Sequence, residues 1–304
     1  MRILCLAVAF LLFAGTRSAA ADDLENAYQS LKQAETQNDA AQVKRFAPDV
    51  YALASREINS RAPESDDEKE SWSNRVTYAK GIALRAEYAL YVTALHSPNA
   101  LRVDLIATLE QMNPKSRYMD EAYGPYLVAL NQMGASSKIP GIAEKALANF
   151  PDNEDLLLVV ADAAFAHKQF DRALNCATRL VTVLDKHPRP EGVSAADWER
   201  KRKAALGRGY WIAGIIYAER NHYVNADKEL RAALPLTAGN DSMKGAALFY
   251  LGVANYQLGK MTLDKSRMLD AARFSEEASA IEGPYSQQAW HNALVSKAEA
   301  AKMR

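Results

Sequence analysis

The sequence predicts an all-α fold, a solenoid of stacked antiparallel helical hairpins. Apolar residues recur at spacings of three and four along most of the chain, with abundant alanine and leucine, and this is the period of an amphipathic helix. The alternating apolar residues and β-branched runs that mark strands do not dominate any long segment. Proline-containing breaks close successive apolar segments. They are Asn113-Pro114, Phe150-Pro151, His187-Pro188 and Gly283-Pro284.

The first 21 residues have the pattern of a cleavable signal peptide. Arg2 supplies the positive start, Ile3 to Ala14 is apolar, and Ala19-Ala20-Ala21 offers small residues for cleavage. We therefore predict a periplasmic or secreted protein with no integral membrane segment after cleavage. The alternative is a retained membrane anchor, although the apolar run is shorter than the roughly 20 residues that a spanning helix needs.

Charge and cysteine content narrow the classes of partner and of chemistry. The 37 basic and 37 acidic residues cancel, and no long stretch is dominated by lysine and arginine. A nucleic-acid partner is therefore not expected. Loss of Cys5 with the signal peptide would leave Cys176 as the only thiol, so no internal disulfide can form. Cys176 lies in the apolar phase of a predicted helix, which favours a core position over a reactive one.

The N-terminal part of the mature chain, residues 22–70, is predicted to hold a helical pair and a linker. The helices are expected at 24–37 and 40–59. The charged, proline-containing segment 60–70 has the composition of a linker or loop. A long helix follows, from about Ser71 to His96, and it opens a region of degenerate hairpins over residues 71–151, at 72–114 and 117–151.

A regular repeat occupies residues 152–284, with predicted hairpins at 154–188, 201–236 and 245–284. Small residues recur at fixed spacings: Gly214 precedes Ala226 by 12 positions, and Ala226 precedes Ala233 by seven. Ala161, Ala173 and Leu180 repeat these spacings. Gly252 stands 19 positions before Ala271, which predicts an insertion of about two helical turns. A second insertion, residues 189–202, is predicted to be a loop that runs into a helix near Ser194, and residues 285–304 are predicted to form a C-terminal capping helix.

These small residues resemble those of the tetratricopeptide repeat (TPR) family, whose 34-residue unit is a helix-turn-helix with small residues where the two helices cross. The physical reason holds without the family. A glycine inside a helix costs roughly 1 kcal/mol relative to alanine, so Gly214 and Gly252 require a close helix contact that a larger side chain would disrupt. Together with the predicted signal peptide, the resemblance implies an exported bacterial TPR-like protein with a concave binding groove.

The resemblance also implies which residues of the first helix in each hairpin line that groove. They are Leu158, Asp162, Phe165, Trp211, Ile215, Glu219, Phe249, Val253 and Tyr256. This surface is apolar and aromatic, and it suits an extended peptide or an amphipathic helix. Asp162 either contacts a ligand or is an ordinary solvated residue, and the second interpretation is favoured. Tyr210, Tyr217 and Tyr223 are interpreted as core residues of the hairpins. Instead of a separate partner, the chain's own N-terminal helices are an alternative that would cover part of the groove.

No catalytic, cofactor-binding or metal-binding residues are predicted. The five histidines are scattered without metal-ligand spacing, and glycine-rich phosphate loops and nucleophile motifs are absent from the sequence. The leading hypothesis is a non-enzymatic protein-protein interaction scaffold of the bacterial cell envelope, needing no cofactor. One alternative is an envelope enzyme acting on polysaccharide, for which Glu199, Glu219 and Asp162 are the candidate carboxylates. Another is a homo-oligomeric structural subunit. The sequence does not name the partner.

Overall fold

The computed structural model of the protein describes residues 19–189 and 193–303. These residues form helices and turns and contain no strand, so the predicted all-α class is confirmed. The predicted signal peptide lies outside the described residues over positions 1–18, and so do residues 190–192 of the predicted insertion. None of the described helices is both long and apolar enough to span a membrane.

The chain divides into two compact units, residues 1–133 and 134–304. The described part of the first contains α1 (Ala19–Thr36), α2 (Ala40–Ile58), α3 (Asp66–Leu95), α4 (Asn99–Met112) and α5 (Arg117–Gln132). Each helix packs on the next in sequence, and α1 also contacts α3, as α3 contacts α5. The boundary between the units falls inside the segment 117–151 that was predicted as one hairpin.

Helix α3 begins five residues before the predicted start at Ser71. Asp66, Asp67 and Glu68 occupy its first turn after Ser65, where negative side chains interact favourably with the positive end of the helix dipole. The charges that suggested a linker over 60–70 therefore favour a helix start for the last five of those residues. Trp72 ties this turn to the preceding segment, because its Nε1 donates to Ser60 Oγ at 2.9 Å.

The second unit consists of alternating helices that pack in sequence order. They are α6 (Ile139–Ala146), α7 (Glu154–Ala166), α8 (Phe170–Lys186), α9 (Ala195–Glu219), α10 (Tyr223–Ala233), α11 (Asp241–Thr262), α12 (Lys265–Ser279) and α13 (Ser286–Lys302). Helices α7, α9, α11 and α13 also contact one another in succession. This pattern, in which each helix touches its neighbour and the first helices of successive hairpins also touch one another, is that of stacked hairpins.

The glycines singled out by their helical positions lie where helices approach closely. A Cβ atom on Gly214 would stand 2.5 Å from Leu230 Cγ of α10, and one on Gly252 would stand 2.4 Å from Ser275 Oγ of α12. Ala226, Ala233, Ala271 and Ala278 are at most 1% exposed. Small residues therefore set the spacing of both hairpins, as the sequence spacing indicates. The insertion predicted between Gly252 and Ala271 extends α11 to Thr262 and places the start of α12 at Lys265.

A left-handed residue ends the turn of four hairpins. Asn38, Lys168, Asn221 and Leu263 have φ between 53° and 62°, and each directly precedes the first residue that caps the next helix. Asparagine tolerates this conformation because its short polar side chain bonds locally, whereas for other L-residues it costs roughly 1–2 kcal/mol. Lys168 and Leu263 are therefore the two members that bear this cost, and Leu263 is also 80% exposed.

The start of α7 is tied to α8 and α9 by Glu154. Its Oε1 lies 3.1 Å from Lys201 Nζ and its Oε2 lies 3.2 Å from His187 Nδ1. Burial raises the pKa of Glu154, but the charge of Lys201 and the hydrogen bonds to the carboxylate outweigh burial and leave the pKa below its ordinary value. Glu154 thus stabilises the folded chain in its ionised form.

Acidification is expected to remove this contribution. Because the folded pKa is depressed, the contribution is complete above the unfolded pKa and is lost as the pH falls through the folded value. We expect the difference in unfolding free energy between wild type and Glu154→Gln, measured by urea denaturation from about pH 7 to about pH 3, to shrink in acid. A difference that stays constant over this range would contradict the assignment.

Candidate functional site

The nine groove residues predicted from the sequence lie on α7, α9 and α11, the first helices of three consecutive hairpins. These helices contact one another in succession, and the nine residues together are called here the odd-helix face. It consists of Leu158, Asp162, Phe165, Trp211, Ile215, Glu219, Phe249, Val253 and Tyr256. All nine belong to the second unit.

Trp211 is the centre of the face and connects three helices. Its ring packs edge-on against Phe165 of α7, with centroids 5.4 Å apart, and its Nε1 donates to the carbonyl oxygen of Met243 in α11 at 3.0 Å. The indole is half-buried, so one part of the ring stays accessible. A half-buried tryptophan held in one orientation loses little conformational entropy when a partner binds.

An ion pair lies beside this tryptophan. Asp162 Oδ1 is 2.5 Å from Arg208 Nε, and the Arg208 guanidinium carbon lies 4.5 Å from the centroid of the Trp211 ring. The Asp162 side chain is 41% exposed, so it is a partly solvated carboxylate with an ion-pair partner. Arg208 is a member of this site that the sequence interpretation missed, and its position three residues before Trp211 on α9 was the available signal.

Two predicted lining residues are buried. Ile215 is 4% and Phe249 6% exposed, and both belong to one apolar cluster. Phe249 stacks on Tyr285 with centroids 4.8 Å apart and meets Tyr250 edge-on at 5.2 Å. The partly exposed Tyr250 and Tyr285 therefore lie where Phe249 was expected. Tyr285 directly precedes α13, and no sequence pattern indicated its contact with Phe249.

Glu219 is held at the same part of the face by Tyr250. The Tyr250 hydroxyl donates to Glu219 Oε1 at 2.5 Å. Burial and this hydrogen bond to a carboxylate both raise the pKa of Tyr250, so the phenol stays protonated. The accessible part of the odd-helix face therefore combines half-buried apolar groups, at Leu158, Val253 and Tyr256, with polar groups whose orientations are set within the chain.

The carboxylates considered for catalysis each have a basic or hydroxyl partner. Asp162 pairs with Arg208 and Glu219 with Tyr250, while Glu199 Oε1 lies 3.4 Å from Lys203 Nζ. Among the described residues, no three or more histidine, cysteine, aspartate or glutamate side chains are arranged to hold a metal ion. Cys176 is 5% exposed, and burial raises the pKa of its thiol, in agreement with its predicted core position.

The first unit has a separate cleft of about 640 Å³ between the α1–α2 turn and α3. Arg85 Nη2 donates to Glu35 Oε1 at 2.8 Å, and the Arg85 guanidinium lies 5.1 Å from the ring centroid of Tyr88. The other oxygen of Glu35 is buried without a hydrogen-bond partner in the described chain. Sequence reasoning identified none of these residues, because they come from helices about 50 positions apart.

Comparison with known proteins identifies no family for this chain. No protein-family model matches it, and no curated protein sequence matches it. The functional argument therefore depends on the residues of the odd-helix face themselves.

Proposed function

We propose that the protein is a non-enzymatic scaffold of the bacterial cell envelope, a TPR-like protein that binds a protein or peptide partner on the odd-helix face. The observation that carries the proposal is the arrangement around Trp211, in which a half-buried indole is held by Phe165, Arg208 and the Met243 carbonyl. Aromatic and arginine side chains in orientations fixed before binding are the usual anchors of protein interfaces.

The length of the face favours an extended segment over a small molecule. It runs over three helices, with apolar groups on α7 at Leu158 and on α11 at Val253 and Tyr256. The polar groups between them, Asp162 with Arg208 and Glu219, leave acceptor and donor positions at intervals along the surface. A bound peptide would place its apolar side chains on Leu158, Val253 and Tyr256. Its main-chain groups would form hydrogen bonds with Asp162, Arg208 and Glu219.

Exported character and membership of the TPR family are part of the proposal. The N-terminal pattern of residues 1–21 supports export. The close approach of Gly214 to Leu230 and of Gly252 to Ser275 supports the resemblance, because the small residues stand at helix crossings as they do in that family. A curved array of hairpins binds partners without a reactive centre.

The test is to capture partners from the periplasmic fraction and then to measure each purified candidate by calorimetry. We expect Trp211→Ala, which removes the central anchor, to weaken binding by about 30-fold or more. Val253→Asp places an unpaired charge on the same face and is expected to do the same. Leu269→Asp is the matched control, because Leu269 is 52% exposed on α12, away from the odd-helix face.

Equal affinities for wild type and both face variants would overturn the proposal. Thermal unfolding of each variant checks that the loss of binding does not come from loss of the fold. Light scattering over a range of concentrations identifies the case in which the bound partner is a second copy of the chain, which is the homo-oligomer alternative.

A further inference from the structure

The cleft of the first unit contains an acid, an arginine and an aromatic ring, called here the first triad. Glu35 of α1 pairs with Arg85 of α3, and the Arg85 guanidinium lies 5.1 Å from the ring centroid of Tyr88. Tyr88 follows Arg85 by three positions, so both side chains lie on one face of α3. All three residues line the cleft.

The second unit has the same group of side chains at the centre of the odd-helix face, called here the second triad. Asp162 of α7 pairs with Arg208 of α9, and the Arg208 guanidinium lies 4.5 Å from the ring centroid of Trp211, three positions further along. In both units the acid comes from the first helix of one hairpin, and the arginine and the ring come from the first helix of the next hairpin. The two triads therefore correspond in position as well as in residue type.

The correspondence continues toward the C-terminal ends of α3 and α9. The positions seven and 11 residues after the arginine are Val92 and His96 in the first unit, and Ile215 and Glu219 in the second. Ile215 and Glu219 belong to the odd-helix face, and Val92 and His96 line the cleft. The α3 side of the cleft is therefore built from the positions that correspond to the odd-helix face.

Each arginine of the two triads keeps hydrogen-bond donors free for a ligand. Arg85 bonds Glu35 through Nη2 alone, and Arg208 bonds Asp162 through Nε alone. Within the described chain, the other N–H groups of both guanidinium groups have no hydrogen-bond acceptor, and the Arg85 side chain is 43% exposed. A guanidinium that lies against an aromatic ring is held in one plane, so its free N–H groups suit the carbonyl oxygens of an extended main chain.

The charges and the apolar wall of the cleft favour an uncharged partner. Of the described residues that line the cleft, Glu35 and Arg85 are the only aspartate, glutamate, lysine or arginine, and their charges cancel. Val43 and Val92 supply an apolar wall beside Tyr88. The volume of about 640 Å³ accommodates a short stretch of extended chain and is too small for a folded domain.

We propose that the cleft is a second peptide-binding site, which takes an uncharged extended segment of the same kind as the odd-helix face. The segment would place an apolar side chain against Tyr88 and Val92, and one of its carbonyl oxygens would accept from Arg85. The inference rests on the proposed function of the odd-helix face, because the correspondence of the two triads indicates a peptide as the ligand. The protein would then bind two such segments, one in each unit.

Two selections of displayed random peptides on the full chain test the two sites separately. One uses Trp211→Ala, which leaves the cleft intact, and the other uses Tyr88→Ala, which leaves the odd-helix face intact. Peptides from the first selection are synthesised with capped ends and measured by calorimetry. We expect Tyr88→Ala and Val92→Asp to weaken their binding by about tenfold or more relative to wild type. Val128→Asp, the same change at a 53% exposed position of α5 outside the cleft, should leave it unchanged.

The second site is overturned if the selection on Trp211→Ala recovers no peptide, or if its peptides bind Tyr88→Ala and Val92→Asp as tightly as wild type. A high net charge in the recovered peptides would overturn the assignment of an uncharged partner. Thermal unfolding checks that both cleft variants remain folded.

The selection on Tyr88→Ala reports on the odd-helix face alone, because its peptides should lose affinity for Trp211→Ala. If it succeeds and the first selection fails, the proposed function stands and the second site is removed. If it recovers no peptide that depends on Trp211, the proposed function itself is contradicted.

Discussion

Replacement of Gly214 by valine is expected to destabilise the second unit by about 3 kcal/mol, the upper end of the usual cost of overpacking. Even the first added carbon would stand 2.5 Å from Leu230 Cγ and 3.1 Å from the Leu230 backbone nitrogen. The side chain of Leu230 is fully buried and cannot turn outward. The α9 and α10 helices would therefore have to separate.

Alanine at the same position gives a graded version of this test. Gly214→Ala gains roughly 1 kcal/mol of helix propensity but still places its Cβ against Leu230, so a net loss of about 1 kcal/mol is expected. Gly81→Ala is the matched control on α3, because a Cβ there would meet no atom within 4 Å. We expect that change to stabilise the first unit by up to about 1 kcal/mol.

Amide hydrogen exchange measures these effects separately in the two units. Opposite signs for Gly214→Ala and Gly81→Ala would show that packing, and not helix propensity, determines the first result. Equal stabilisation by both changes would mean that α9 and α10 tolerate a wider spacing than their small residues indicate.

The helices could be predicted because their signals are local. Apolar spacing of three and four sets the buried stripe of each helix, and capping residues such as Asp39, Asn153, Ser194 and Asn240 mark the starts, where their side chains accept backbone N–H groups. Gly214 of α9 and Gly252 of α11 could also be assigned to helix crossings from the sequence, because a glycine that weakens its own helix requires a compensating contact.

The details of the candidate surfaces could not be predicted, since they depend on which hairpins stack. Arg208 and Asp162 are 46 positions apart, and Tyr250 and Glu219 are 31 apart. No periodicity within one helix specifies such a pairing. Phe249 likewise stacks on Tyr285, 36 positions later at the start of α13. The left-handed backbone at Leu263 was hidden because the sequence around it lacks the usual glycine or asparagine.

Removal of the Asp227 carboxylate is expected to have the second large effect on stability. Asp227 is 8% exposed and accepts from three side chains on three helices. Its Oδ1 lies 2.8 Å from Arg231 Nε and 2.6 Å from Asn255 Nδ2, and its Oδ2 lies 2.8 Å from Arg267 Nη1. Arg267 connects the carboxylate to α12 and Asn255 connects it to α11. Arg231 lies on α10 with Asp227, and its Nη2 also donates to Asp270 of α12 at 2.9 Å.

Asp227→Ala would leave two guanidinium groups close together and would remove one of the two acceptors of the buried Asn255 amide, which also donates to the Leu251 carbonyl oxygen at 3.0 Å. Breaking a buried pair by removal of one partner typically costs about 3–5 kcal/mol. Here both arginine side chains are 38% exposed, so water compensates in part and we expect a loss of about 2–3 kcal/mol. Chemical denaturation followed by circular dichroism measures the change.

Asp171→Ala is the matched control for this carboxylate. Asp171 also pairs with an arginine, with its Oδ1 2.8 Å from Arg220 Nη2, but its side chain is 95% exposed. Exposed ion pairs contribute little, so a loss of less than about 0.5 kcal/mol is expected there. If the two alanine variants lost the same stability, the α10–α11–α12 arrangement would depend on apolar packing alone. A large difference would instead identify the Asp227 network as the polar contact that sets the relative positions of these three helices.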